Sequence, residues 1–178
     1  MEAKEHVQTG TRSTPNDALT VLEAQHRAVE KLFKAFERAA DDDLEAKAAL
    51  AQRTCEELSI HTILEEELLY PAAQEALPES GRMDVEEAYI EHFLVKTLVA
   101  KLETMKAGEK GFDATFKVLS ELVGHHVEEE EEDLFAQLCK SKCDLRALGD
   151  RITKRAAELQ SKLDAVGSRL VGDRTDML

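Results

Sequence analysis

The decapeptide HTILEEELLY, beginning at His61, aligns without gaps with HVEEEEEDLF, beginning at His126. The two share the histidine, three consecutive glutamates, a leucine and a terminal aromatic residue at an offset of 65 residues. An upstream pair repeats at an offset of 66, with His26, Val29, Leu32, Phe33, Phe36 and Glu37 answering to His92, Val95, Leu98, Val99, Leu102 and Glu103. Two independent segment pairs that agree on one period describe a duplication. In each copy the apolar residues recur at threes and fours, so each copy reads as two amphipathic helices. One such hairpin leaves its apolar stripes uncovered, whereas two related by an approximate twofold close a four-helix core. The expected fold is all-α: an up-down-up-down four-helix bundle with an additional C-terminal helix.

The element boundaries follow from local chemistry. Pro15, Asn16 and Asp17 read as a helix start, and the stripe Leu19, Leu22, His26, Val29, Phe33 and Phe36 runs to the acidic break at Asp41–Asp43. The second helix is expected from about Leu44 to Tyr70. Pro71 lacks an amide donor and crowds the preceding turn, so a stop or kink is expected there, before a loop around Pro78, Ser80 and Gly81. Asp84 and Glu87 form a capping-box pattern for the third helix, which Val85, Tyr89, His92, Val95, Val99, Leu102 and Met105 continue until Gly108 and Gly111. Phe116, Leu119, Val123, His126, Glu130 and Leu134 carry the fourth helix to about Cys139. A fifth stripe, Leu145, Leu148, Ile152, Leu159, Leu163 and Val166, packs either on its own bundle or in a homodimer contact, since a heptad pattern does not name its partner. The expected organisation is a flexible N-terminal tail (1–14), the bundle (15–141), and a C-terminal amphipathic helix and tail (142–178).

A formal net charge of -14 repels nucleic acid and anionic lipid, so neither is an expected partner. The N-terminal stretch lacks the apolar centre of a signal peptide, and no apolar run has bilayer-spanning length, which makes a cytoplasmic location the expectation. Cys55, Cys139 and Cys143 are an odd number, without redox or zinc-ribbon spacing, and read as reduced thiols.

The four histidines His26, His61, His92 and His126 all fall on apolar stripes. With a stripe covering about 0.3 of a helix surface, chance places all four there about once in a hundred. A lone buried histidine is ordinarily satisfied by one hydrogen bond, but four in symmetric positions would need four separate partners, and they suit a metal site better. Glu65 and Glu130 each stand four residues after a histidine and so stack beside it on one helix face. Glu66, Glu67, Glu131 and Glu132 are rotated to the flanks, where some can accept from ligand N–H groups. Four imidazoles and two carboxylates exceed one tetrahedral zinc and match two bridged ions. Each ion would take two histidines and share Glu65 and Glu130, with an oxo or hydroxo bridge and a position open to dioxygen, nitric oxide or peroxide. The donor set suits iron or manganese better than copper, and zinc also fits. Tyr89, three residues before His92, is a candidate donor to the site, although an aromatic there is more often core with its hydroxyl at a rim. His125 is turned off the ligand face, and His6 belongs to the tail.

His26 on the first helix, HxxxE at His61, EHFL at His92 and HxxxE at His126, followed by the LLYP and DLF endings, resemble the hemerythrin-like HHE cation-binding domain family over about residues 17 to 140. The resemblance implies a non-haem di-iron centre held by His26, His61, Glu65, His92, His126 and Glu130. It also implies uses that range over oxygen binding, oxygen or iron sensing, peroxide decomposition and repair of iron-sulfur clusters. The chain departs from the oxygen-carrying hemerythrins, which have a further histidine where Lys96 stands here and an aspartate five residues after the last-helix histidine. Simple oxygen carriage is weakened accordingly. The leading expectation is an iron protein that binds or senses a small ligand such as dioxygen or nitric oxide. The alternatives are a di-iron enzyme acting on peroxide or nitric oxide, and an iron donor for cluster repair.

Overall fold

The computed structural model describes residues 16–175, with side chains described through residue 165. The expected tail, His6 and the side chain of Val166 lie outside these residues. Among the described residues the chain is helical, with no strand.

Helix α1 (Ala18–Arg38) starts at Asp17, whose carboxylate accepts from the Thr20 amide at 2.9 Å. Helix α2 (Leu44–Leu64) starts the same way at Asp43, which accepts from the Ala46 amide at 3.1 Å. Each cap satisfies an amide that has no partner within its helix. At Glu65 the hydrogen bonding widens to a π-turn (Glu65–Leu69), and the rod continues as α3 (Tyr70–Ala76). Of the stop or kink expected at Pro71, the stop does not occur. The Tyr70 amide donates to Glu65 O, five residues back, and Pro71 falls in the first turn after this change of register, where a missing donor is tolerated.

Helix α4 (Glu79–Glu103) begins directly after Pro78, so Asp84 and Glu87 lie within the helix instead of capping it. Ser80 and Gly81 are helical too. Gly81 sits close against Leu77, where an added Cβ would lie 2.9 Å from Cδ1 and 3.0 Å from Cβ. Gly108 and Gly111 both hold positive φ in the turn before α5 (Phe112–Glu129), as the left-handed conformation demands. A second π-turn (Glu130–Leu134) then leads into α6 (Phe135–Lys140). The two π-turns occupy the same register of the repeat.

The rods pack in a ring, with α1 on α2, α2 on α4, α4 on α5 and α5 on α1. Two apolar clusters fill the ring. One is built around Leu22, Leu64, Leu69, Tyr70, Leu134 and Phe135. The other is built around Phe33, Phe36, Val95, Val99, Phe112 and Phe116, with the Phe36 and Phe116 rings stacked 3.8 Å apart. Each such ring contributes about 1.5–3 kcal/mol by burial. The histidines lie between the two clusters.

Helix α7 (Leu145–Thr175) packs on α1, α2 and the first π-turn. Leu148 and Ile152 are buried in the first cluster, while Leu163 is 37% exposed. Gly149 permits this contact, since a Cβ there would lie 2.3 Å from the backbone oxygen of Asn16.

Candidate metal centre

Each of the four histidines comes from a different rod, and each is buried together with Glu65 and Glu130. Their orientation is set from outside. His26 Nδ1 donates to Glu131 at 2.7 Å, His92 Nδ1 to Glu66 at 3.1 Å, His126 Nδ1 to Glu91 at 2.7 Å and His61 Nδ1 to Gln25 at 2.8 Å. Glu66 and Glu131 reach from one hairpin to the other, whereas Gln25 and Glu91 serve the histidine of their own hairpin. A carboxylate can only accept, so it places the proton on Nδ1 and leaves Nε2 with its lone pair.

The Nε2 atoms consequently converge, His26 with His61 at 3.0 Å and His92 with His126 at 3.2 Å. Glu65 Oε1 and both oxygens of Glu130 are buried without a hydrogen-bond partner. His61 Nε2 lies 3.0 Å from Glu65 and His26 Nε2 lies 3.4 Å from Glu130, as close as ion pairs but not aligned as hydrogen bonds. Buried polar atoms left without partners are costly. Lone pairs and carboxylate oxygens converging in one dry layer fit cations.

Ligand atoms of His26, His61, Glu65 and Glu130 fall within 4.8 Å of one another, as do those of Glu65, His92 and His126. Glu65 is common to both groups. Glu130 falls in the first group only, because α5 neighbours α1 and carries the Glu130 carboxylate toward His26.

Burial opposes a charge on His26, but Glu130 and Glu65 outweigh it and raise its pKa to about 10. Burial, and then the Glu65 charge, lift Glu130 to about 7. Burial also resists ionisation of Glu65, yet His61, His26 and His92 hold it well below the usual carboxylate range. His61 is pushed down by burial. Burial works against charge on His126 too, but the bond to Glu91 raises it.

The sequence reading missed Tyr70. It is fully buried, with its hydroxyl 3.1 Å from His92 Nε2 and 3.5 Å from Glu65 Oε2, and burial raises its pKa well above the ordinary phenol value. Five residues of α-helix would leave Tyr70 about 140° around from Glu65, and the π-turn brings it back. Its repeat partner Phe135 stacks on His26, with ring centroids 6.0 Å apart. Tyr89, named as a candidate donor to the site though more often a core aromatic, donates to the Glu66 backbone oxygen at 3.4 Å. Lys96 holds Glu66 at 2.7 Å, and Arg27 holds Glu131, so each of these acceptors is itself anchored. His125 is exposed beside Glu129, off the ligand face as expected. Glu67 pairs with Arg155 of α7 at 2.8 Å.

The model of the hemerythrin HHE cation-binding domain matches residues 17–138. The chain belongs to this family. The match covers both hairpins, from the cap of α1 to the end of the second π-turn and beyond. An uncharacterized hemerythrin-like protein of Schizosaccharomyces pombe is 36% identical over 76 residues, a stretch that spans 43% of this chain and 37% of that relative. The crystal structure of a hemerythrin HHE cation-binding domain-containing protein from Mycobacterium kansasii superposes with a TM-score of 0.68 at 23% identity, covering 82% of this chain and 88% of that one. That likeness shows the helical bundle fold, and HHE-family membership supports binding of metal cations. No described helix is long and apolar enough to cross a membrane.

Proposed function

We propose that this HHE domain holds two non-haem iron ions on His26, His61, Glu65, His92, His126 and Glu130, and binds or senses a small ligand such as dioxygen or nitric oxide there. The observation that carries the reading is the convergence of four Nε2 atoms and three unpartnered carboxylate oxygens in one dry layer. Glu65, common to both ligand groups, supports two ions rather than one. Bound iron would supply redox chemistry and an exchangeable coordination position. The protein supplies fixed imidazole tautomers, a water-poor surround and the Tyr70 hydroxyl as a hydrogen-bond donor.

The size of the ligand has its own support. A space of about 10 Å³ adjoins the four histidines, lined by buried residues that include Val29, Leu58, Val95, Val123 and Val127. That is about the volume of one small probe sphere, so it suits a diatomic molecule. The Tyr70 hydroxyl gives peroxide or nitric oxide turnover specific support as a second reading, because a buried donor is what breaking or protonating an oxygen ligand needs.

The test is anaerobic reconstitution with iron, metal analysis, and visible spectra with and without nitric oxide. Two iron per chain and a reversible spectral change are expected. One iron or none, or a spectrum indifferent to nitric oxide, would overturn the reading.

A further inference from the structure

The duplication makes its two halves comparable residue by residue, and they differ most at one place. In the first half Val21 and Leu22 of α1 face Leu64 and Leu68, and all four belong to the apolar cluster that also takes Leu148 and Ile152 from α7. That flank of the centre is sealed. The repeat offsets turn those four residues into Glu87, Ala88, Glu129 and Asp133 in the second half. There they line an open cleft of about 80 Å³ between α4 and the second π-turn. No lysine or arginine lines it.

The cleft runs from solvent to the centre. Glu87 and Asp133 are exposed at its mouth, and His126 and Glu130, 3% and 4% exposed, line its inner end. Both oxygens of Glu130 lack a hydrogen-bond partner, so the cleft ends on an unsatisfied buried carboxylate. Glu91 and Glu129 line the cleft as well, and their ligand atoms lie within 4.8 Å of one another, offering a cation oxygen contacts on its way in. A low-dielectric cleft walled by one sign of charge concentrates ions of the opposite sign.

The geometry points to the cleft as the route by which a divalent cation reaches the histidine and glutamate centre, with α7 closing the corresponding flank in the other half. This rests on the metal-binding reading above, and rate and stoichiometry separate the two. The experiment adds cobalt(II) chloride to the metal-free full-length protein in a stopped-flow spectrometer and follows the ligand-field absorbance at several salt concentrations. Glu87→Gln/Asp133→Asn removes two charges at the mouth without touching a histidine, a ligand-set carboxylate or the core. A control, Asp42→Asn/Glu45→Gln, removes two exposed charges where α1 passes into α2, at least about 20 Å of helix from His61.

The wild type should load fastest at low salt and slow steeply as salt rises. The cleft variant should load about tenfold more slowly at low salt, within the range such fields give, with a flattened salt dependence. Its final cobalt content and spectrum should equal those of the wild type, and the control should load at the wild-type rate. Wild-type loading of the cleft variant overturns the route, as does equal slowing in the control. A lowered final cobalt content in the cleft variant overturns it too, since Glu87 and Asp133 would then belong to the binding set. Failure of the wild type to bind cobalt at all overturns the metal-binding reading itself.

Discussion

Replacing Glu130 by glutamine should stabilise the metal-free protein, and increasingly so as pH rises. Both Glu130 oxygens are buried without a hydrogen-bond partner, and burial with the Glu65 charge lifts its pKa from the ordinary 4.5 to about 7. A carboxyl with a raised folded-state pKa keeps its proton in the folded form after the unfolded form has lost it. Its contribution is therefore intact below the unfolded value, declines as pH climbs toward the folded value, and is most unfavourable above that. The separation corresponds to about 3 kcal/mol at about pH 8 and about 1 kcal/mol at about pH 5. Glutamine keeps the shape and cannot ionise. The advantage of Glu130→Gln should thus grow by about 2 kcal/mol over that interval, or about 4–8 °C in Tm for a chain of this size. Thermal unfolding followed by circular dichroism on chelator-treated protein at both pH values measures it. A Tm difference that is the same at both, or a variant less stable than the wild type at the higher pH, would refute the claim that the centre stores an unsatisfied carboxylate. With metal bound the order should reverse, because the variant loses a ligand.

Two other substitutions probe the surround. Tyr70→Phe should fold, since Phe135 fills the corresponding place in the other half, and should cost about 0.5–1.5 kcal/mol in urea unfolding for the lost hydrogen bond. It should also shift the nitric oxide spectrum of the iron-loaded protein; an unchanged spectrum would remove Tyr70 from the site. Gly149→Ala should destabilise by about 1–3 kcal/mol through overpacking, because its Cβ would sit 2.3 Å from the Asn16 backbone oxygen, outweighing the helix preference for alanine. A variant as stable as the wild type in urea would mean that α7 can shift away from α1 at no cost.

The six histidines and glutamates were legible because duplication and helical phase both singled them out, and the structure brings them into one layer. The outward acceptors were half legible. Glu66 and Glu131 stood beside the candidate glutamates, whereas Gln25 and Glu91 are the immediate predecessors of His26 and His92, a repeated position that the phase argument passed over. Tyr70 could not be found by counting at 3.6 residues per turn, because the π-turn changes the count between Glu65 and the aromatic. The terminal aromatic shared by both decapeptides was the available signal. Pro71 misled for the same reason. Asp84 and Glu87 imitated a capping box, yet they line a cleft, a use that local sequence chemistry does not distinguish. The fifth stripe divides in a way no heptad reveals, with Leu148 and Ile152 in the bundle and Leu163 partly in solvent.

The paired π-turns also carry a history. A π-turn is an α-helix with one residue too many, and the surplus weakens local hydrogen bonding without improving the packing of an ordinary helix. Selection would tend to lose such an insertion from a purely structural rod. Here it stands at the same register in both halves, opening at Glu65 and again at Glu130. One insertion, made in an ancestral hairpin before that hairpin was copied, accounts for both. On that account a single two-helix unit needs its twin to build the centre, and the chain carries both units in one sequence. The second half has an acidic cleft where α7 covers the first.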